Sequence, residues 1–220
     1  MRLDTILSLI PQCESVVDVG ADHAKVAIAA VALQKAKYAT ATDIGEGPLA
    51  RAKAAIRAEG LEQNIQTVLT DGLTGVEKHS VAVVAGMGGE LILHILDTAE
   101  WTKDEDVTFV LQPMTAGERL RPGLSEKGYR IVREEIAQEG EKLYPVLLVR
   151  CGKEKIQTLD QHWLSTAGES SPLAGGYLDK IISRLKKQYA GLLAAEERDE
   201  TRISEVCAYL DALEKRRERI

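Results

Sequence analysis

At 220 residues the chain is long enough for one medium-sized domain with a small appendage and a real hydrophobic core. With 45% hydrophobic and 28% charged residues it reads as a soluble globular protein, and no apolar run approaches the roughly 20 residues of a membrane span. A formal charge of −6 argues against non-specific coating of nucleic acid while leaving room for a local basic patch.

The start, MRLDTILSLIPQCES, places an acid and a proline where a secretion signal needs an unbroken apolar stretch, so no targeting peptide is expected. Leu3, Ile6, Leu7 and Ile10 instead recur at helical spacing. Apolar runs and helical segments then alternate. Strands are expected over residues 15–20, 38–43, 65–69, 81–85 and 107–112, with helices over 24–35, 48–59, 89–99 and 115–127. Pro48 suits a first helical turn and Gly60 a helix end. This rhythm predicts an α/β fold, a parallel sheet with helices on both faces. After Gly128, YRIVREEIAQ and EKLYPVLLVR read as a hairpin joined at Glu139-Gly140. Residues 152–176 form a mixed connector with Trp163 as its one large apolar anchor. Two amphipathic stripes follow, Leu178 to Leu193 and Ile203 to Leu213, predicting an antiparallel helical hairpin around the charged AEERDE turn. The expected division is 1–152 for the sheet domain and 153–220 for connector and hairpin. Cys13, Cys151 and Cys207 are odd in number and lack a C-x-x-C spacing, which predicts reduced, mostly buried thiols, no metal site and a cytoplasmic protein.

In such a sheet, ligands sit at the carboxyl ends of the strands. Four of these ends carry chemistry: Asp18-Val19-Gly20-Ala21-Asp22-His23, Asp43, Asp71-Gly72, and Gly86-Met87-Gly88-Gly89. A dinucleotide site needs G-x-G-x-x-G, because a pyrophosphate must approach bare backbone. Here Asp22 and Lys25 stand where those glycines would, and a carboxylate repels a pyrophosphate. A ligand with an adenosine but no phosphate fits better. S-adenosyl-L-methionine is such a ligand, with Asp43 placed for ribose hydroxyls and Asp71 for the adenine amino group. His79, His94 and His162 lack partners at catalytic spacing and are expected at the surface or half-buried. Glu118-Arg119 and Glu134-Glu135 are expected on solvated faces, and Trp101 in packing.

Taken together, DVGADHA, the acidic second strand followed by Gly-Pro, TDGL, AGMGG and LQP resemble the bacterial tRNA (adenine-N1)-methyltransferase family that modifies position 22. The resemblance covers essentially the whole chain. It implies a Rossmann-like class I methyltransferase sheet of seven strands, its last hairpin antiparallel, followed by a C-terminal coiled coil. It implies S-adenosyl-L-methionine as cofactor and tRNA as partner, in a monomer or weak homodimer. By position, Asp18, Gly20 and His23 would line the methionine side, Asp43 the ribose, Asp71 and Gly72 the adenine, and Gly86 to Gly89 the floor beneath the methyl group. Asp22 matches the family's essential acid, and Gln112-Pro113 its strand-five motif near the target base. Lys186 and Lys187 on the hairpin are candidates for holding the tRNA body. Two departures stand out: Met114 replaces the usual Asn, and Lys25-Val26-Ala27 replaces an apolar residue and Pro. A class I methyltransferase with another substrate, and a cofactor-binding module without catalysis, remain open alternatives at this point.

Overall fold

The structure, a computed structural model, describes residues 1–156 and 158–220. The first helix, α1 (Arg2–Leu9), leads into β1 (Cys13–Val19), α2 (Lys25–Ala32), β2 (Ala36–Asp43), α3 (Glu46–Ala58), β3 (Ile65–Leu69), β4 (Val81–Gly88), α4 (Gly89–Ile95), β5 (Thr108–Thr115) and α5 (Gly117–Glu126). The hairpin β6 (Tyr129–Glu139) and β7 (Lys142–Cys151) follows, then α6 (Ala174–Ala194) and α7 (Glu200–Arg217). The seven strands lie in the order β3-β2-β1-β4-β5-β7-β6. The first five are mutually parallel, and β7 inserts antiparallel between β5 and β6.

Strand burial explains this order. Val16, Val17, Val83, Val84, Val110 and Leu111 are all fully buried, because the central strands are covered on both faces. On one face Val17, Ala82 and Phe109 pack with Ile92 and Ile95 from α4 and with Leu120 and Leu124 from α5. On the other, Val16, Val83 and Val110 pack with Ile6 and Ile10 at α1 and with Val26 and Ala30 from α2. A cluster rich in alanine (Ala27, Ala39, Ala41, Ala52) seats α2 and α3 closely against β2.

Several boundaries differ from those expected. The helix over 24–35 is split: Asp22 to Ala24 form a 3-10 turn in which His23 (φ 68°) and Ala24 (φ 47°) are left-handed, and α2 begins only at Lys25. The helix over 89–99 ends at Ile95, where Thr98 Oγ1 donates to the Ile95 carbonyl and accepts from Leu73 N–H, terminating the ladder. Strands β4 and β5 run on into Gly88 and Thr115. The hairpin turns at Gly140-Glu141, with Gly140 left-handed, one residue later than expected. The three cysteines are half-buried and free. His79 is buried, its ring nitrogens 2.8 Å from Thr40 Oγ1 and 2.7 Å from the Glu77 carbonyl.

The largest departure is Glu134, expected on a solvated face and found fully buried. A bulge between Ile131 and Arg133 inserts an extra residue into β6. Side chains alternate along a strand, so one extra residue exchanges its inner and outer faces. Burial accordingly switches from Tyr129 and Ile131 to Glu134 and Ile136. The inward Glu134 meets Arg121 of α5, equally buried, and accepts the Ser165 N–H at 2.9 Å. Arg121 also donates to the carbonyls of Gly117 (2.9 Å) and His162 (3.1 Å). A second buried guanidinium, Arg216 of α7, reaches Asp160 (2.9 Å), the Ser165 carbonyl (2.9 Å) and Glu169 (2.9 Å). The connector is thereby tied to the sheet through Glu134 and to the hairpin through Arg216. Trp163 and Leu164 complete the seat, packing with Ile136 of β6 and the inner faces of α6 and α7.

Candidate functional site

The carboxyl ends of the parallel strands converge on one edge, and each predicted residue there has a definite place. Asp18 closes β1 with only 5% exposure. Its Oδ2 accepts the Ala27 N–H at 3.2 Å, and no basic side chain pairs with it among the described residues. Burial pushes its pKa from 3.8 up to about 7, against the pull of the Ala27 and Val26 backbone N–H groups. Gly20 follows at φ +72°, and a Cβ there would collide with the Met87 methyl. Glycine is required there by the left-handed turn, while the Met87 side-chain end could shift to admit a Cβ.

Gly20 and Ala21 both donate to the Thr42 carbonyl, at 2.8 and 2.9 Å, which locks the β1 turn to the end of β2. Asp43 lies there and accepts the Gly45 N–H at 2.8 Å, forming the turn that leads into α3. Asp71 is exposed beyond β3. Its neighbour Gly72 is left-handed (φ +60°) and its carbonyl accepts from Thr42 Oγ1 at 3.4 Å. On the other side of β1, Gly86 (φ +80°) has open space where a Cβ would stand, whereas a Cβ at Gly89 would strike the Ala116 carbonyl. Gln112 is fully buried. Its Oε1 accepts the Gly86 N–H at 3.1 Å and its Nε2 donates to the Pro113 carbonyl at 2.9 Å, so it fixes the glycine turn from the adjacent strand.

Asp18, Gly20, Asp22, Gly86 and Gln112 border a common crevice of about 320 Å³. Its opposite wall includes Met1 and the N-terminal helix, with Arg2, Leu3 and Ile6, and Ala21, Lys25, Val26, Ala85 and Glu139 complete the lining. Asp22 is half-exposed and its Oδ1 accepts from Arg51 Nε at 2.7 Å. That bond holds its carboxyl below the usual carboxylate range. His23 Nε2 stands 3.7 Å from the same oxygen. His23, Asp43, Asp71, Gly72, Met87, Gly88, Gly89 and Pro113 lie along the same edge outside this crevice. Lys186 and Lys187 are on α6, away from its lining; Lys186 is paired with Glu214 at 2.7 Å, and Lys187 makes no ion pair among the described residues.

Sequence reasoning missed Arg51, which binds Asp22 from 29 residues away, and missed the N-terminal helix as a wall. The only signal for either was a cation at a helical position. A larger cleft of about 730 Å³ lies between α4, α5 and the hairpin. Four glutamates (Glu90, Glu118, Glu126, Glu205) outnumber the three arginines lining it, which makes it a poor seat for an anion.

Residues 1–147 match a family model described as a methyltransferase domain. A Bacillus subtilis (strain 168) protein named tRNA (adenine(22)-N(1))-methyltransferase is 34% identical over 153 residues; the match spans 69% of this chain and 64% of that protein, just under two thirds of its length. The fold is also that of Streptococcus pneumoniae Sp1610, assigned as a tRNA (m1A22) methyltransferase, with a TM-score of 0.85, 30% identity and 97% of both chains covered. The same pneumococcal protein in complex with S-adenosyl-L-methionine gives a TM-score of 0.84 at 29% identity, again over 97% of each chain.

Proposed function

Because the chain belongs to the bacterial tRNA (adenine(22)-N1)-methyltransferase family, we propose that it methylates N1 of adenosine 22 in tRNA, with S-adenosyl-L-methionine as methyl donor. The observation that carries this reading is the buried Asp18 beside the Gly20 and Gly86 turns: an acid without a cationic partner, bordering a crevice whose backbone is left bare. Such a site suits a positively charged ligand that carries a nucleoside. Among the matches, the pneumococcal relative has been solved with that donor.

When bound, the donor supplies an electrophilic methyl on a sulfonium. Around it Asp18 would give the counter-charge, Gly20 and Gly86 would leave room for close approach, Asp43 would hold the ribose, and Asp71 and Gly72 would border the adenine. Met87, Gly88 and Gly89 carry the floor from β4 into α4, and His23 flanks the methionine side. Adenine N1 has its own lone pair, so no residue must first remove a proton. The acid needed is one that accepts from the exocyclic amino group, orients the ring and stabilises its growing positive charge. Asp22 fills that role, held in position by Arg51 until the base arrives. Gln112 holds the Gly86 turn and sets Pro113 at the entry of the base. N1 lies on the pairing edge, so the base must leave the folded tRNA to reach the crevice. The hairpin, with Lys187 and Lys186, supports the tRNA body. Such a substrate places the protein in the cytoplasm.

The test is methyl transfer from labelled donor to unmodified tRNA by wild type and by Asp22→Asn. Expected is a loss of about 10²–10³-fold in kcat, with donor affinity within about twofold of wild type. Parallel loss of binding and turnover would make Asp22 a cofactor ligand and overturn its assigned role.

A further inference from the structure

Two cations border the crevice, and the reading above gives neither a task. Arg2 comes from α1 and Lys25 from the start of α2. Arg2 is held in place by three contacts, of which one is a long ion pair. Its Nη1 donates to Met114 Sδ at 3.3 Å and its guanidinium lies 5.6 Å from the centre of the Tyr144 ring. Its Nε is a loose 3.8 Å from Glu139, and Nη2 has no partner among the described residues. Lys25 is exposed and forms no ion pair among the described residues. The acid nearest to hand, Asp22, is already bound by Arg51. One loosely paired cation and one without an ion pair therefore stand at the rim of a crevice that has the Asp18 carboxyl at its depth.

That distribution sorts an incoming nucleotide. A base can enter toward Asp22, but its phosphodiester cannot follow it past Asp18 and must stay outside. From this we infer that Arg2 and Lys25 form a clamp for the phosphodiester of the nucleotide whose base enters the crevice. The fixed guanidinium gives planar, paired donors, and the flexible ammonium closes on the same anion. The clamp explains how a chain of charge −6 engages a polyanion locally. It also gives a use to Met114, which steadies Arg2 where the related motif carries an asparagine. This inference rests on the methyl-transfer reading. The donor's own carboxylate offers similar anionic chemistry, so the experiment must separate the two sources.

Wild type, Arg2→Ala, Lys25→Ala, the double variant and the charge-preserving Arg2→Lys are compared in tRNA methylation across a salt series, alongside equilibrium donor binding. The clamp predicts a rise of about tenfold in KM for tRNA with each alanine, and a salt dependence shallower by about 0.7–0.9 per lost contact. Arg2→Lys retains most of the affinity, and donor binding is unchanged throughout. A tRNA assembled with a neutral methylphosphonate beside the target adenosine raises KM for wild type and leaves the double variant unaffected. Weakened donor binding with unchanged KM for tRNA would assign the cations to the donor's carboxylate and overturn the clamp. Equal penalties from the methylphosphonate in wild type and double variant would overturn it as well. Should wild type bind donor yet methylate no tRNA, the underlying reading fails, and that result is separate from any variant's behaviour.

Discussion

Replacing Asp18 by asparagine tests whether the crevice stores electrostatic strain for a cationic ligand. In the folded protein burial raises this carboxyl from 3.8 to about 7. Between those values the native state holds a proton that the unfolded chain has released, so stability falls as pH rises from about 4 to about 7. Above about 7 the full penalty is present, about 4 kcal/mol for a shift of this size. Asparagine keeps the size and the acceptor for Ala27 N–H and cannot ionise. Other titrating groups cancel when the variant is compared with wild type. The stability advantage of Asp18→Asn should therefore shrink by about 2 kcal/mol between pH of about 8 and about 5.5. Urea unfolding at the two pH values measures it. Donor binding gives the complementary reading: a cation in the crevice relieves the penalty, so wild-type affinity falls about tenfold per pH unit below about 7. The variant binds weakly at every pH. A stability difference that does not move with pH would show that Asp18 is ionised in the folded protein at no cost.

Arg51→Ala should lower kcat about tenfold by freeing Asp22 from its anchor. Its pH–rate profile near neutrality should not move, since Asp22 stays ionised there with or without the guanidinium; a shifted profile would show that Arg51 sets protonation instead of position. Glu134→Ala leaves Arg121 buried and unpaired and should cost about 3–5 kcal/mol in urea unfolding, and a loss below about 1 kcal/mol would show that the pair is not buried as described. Lys187→Glu should weaken tRNA binding most at low salt and make its salt dependence shallower than that of wild type, without change in stability. Unchanged affinity would limit the hairpin to packing.

The strand ends were legible because two local signals coincide there. Each is an apolar run, which fixes a buried strand, followed at once by an acid or glycine that such a run would otherwise exclude. Asp18, Asp43 and Gly86 stand out for that reason. Glu134 was not legible, since the bulge before it changes which face its strand shows, and no local residue type marks a bulge of this kind. His23 and Ala24 belong to the same class: a left-handed pair without glycine is imposed by the turn between β1 and α2, which Ala27 N–H and Asp18 help to close. Pairings distant in sequence, such as Arg51 with Asp22 and Lys186 with Glu214, become visible only when the helices carrying them are placed in space.

Methyl transfer to one atom of one adenosine can be read from wild-type reaction products by primer extension. Unmodified tRNA transcripts are incubated with donor and enzyme, then copied by reverse transcriptase; a methyl on the pairing edge blocks copying. A new, donor-dependent stop is expected at adenosine 22, and it should vanish when that nucleotide is changed to guanosine. Methyl incorporation without the stop, or a stop elsewhere, would contradict the assigned atom or position.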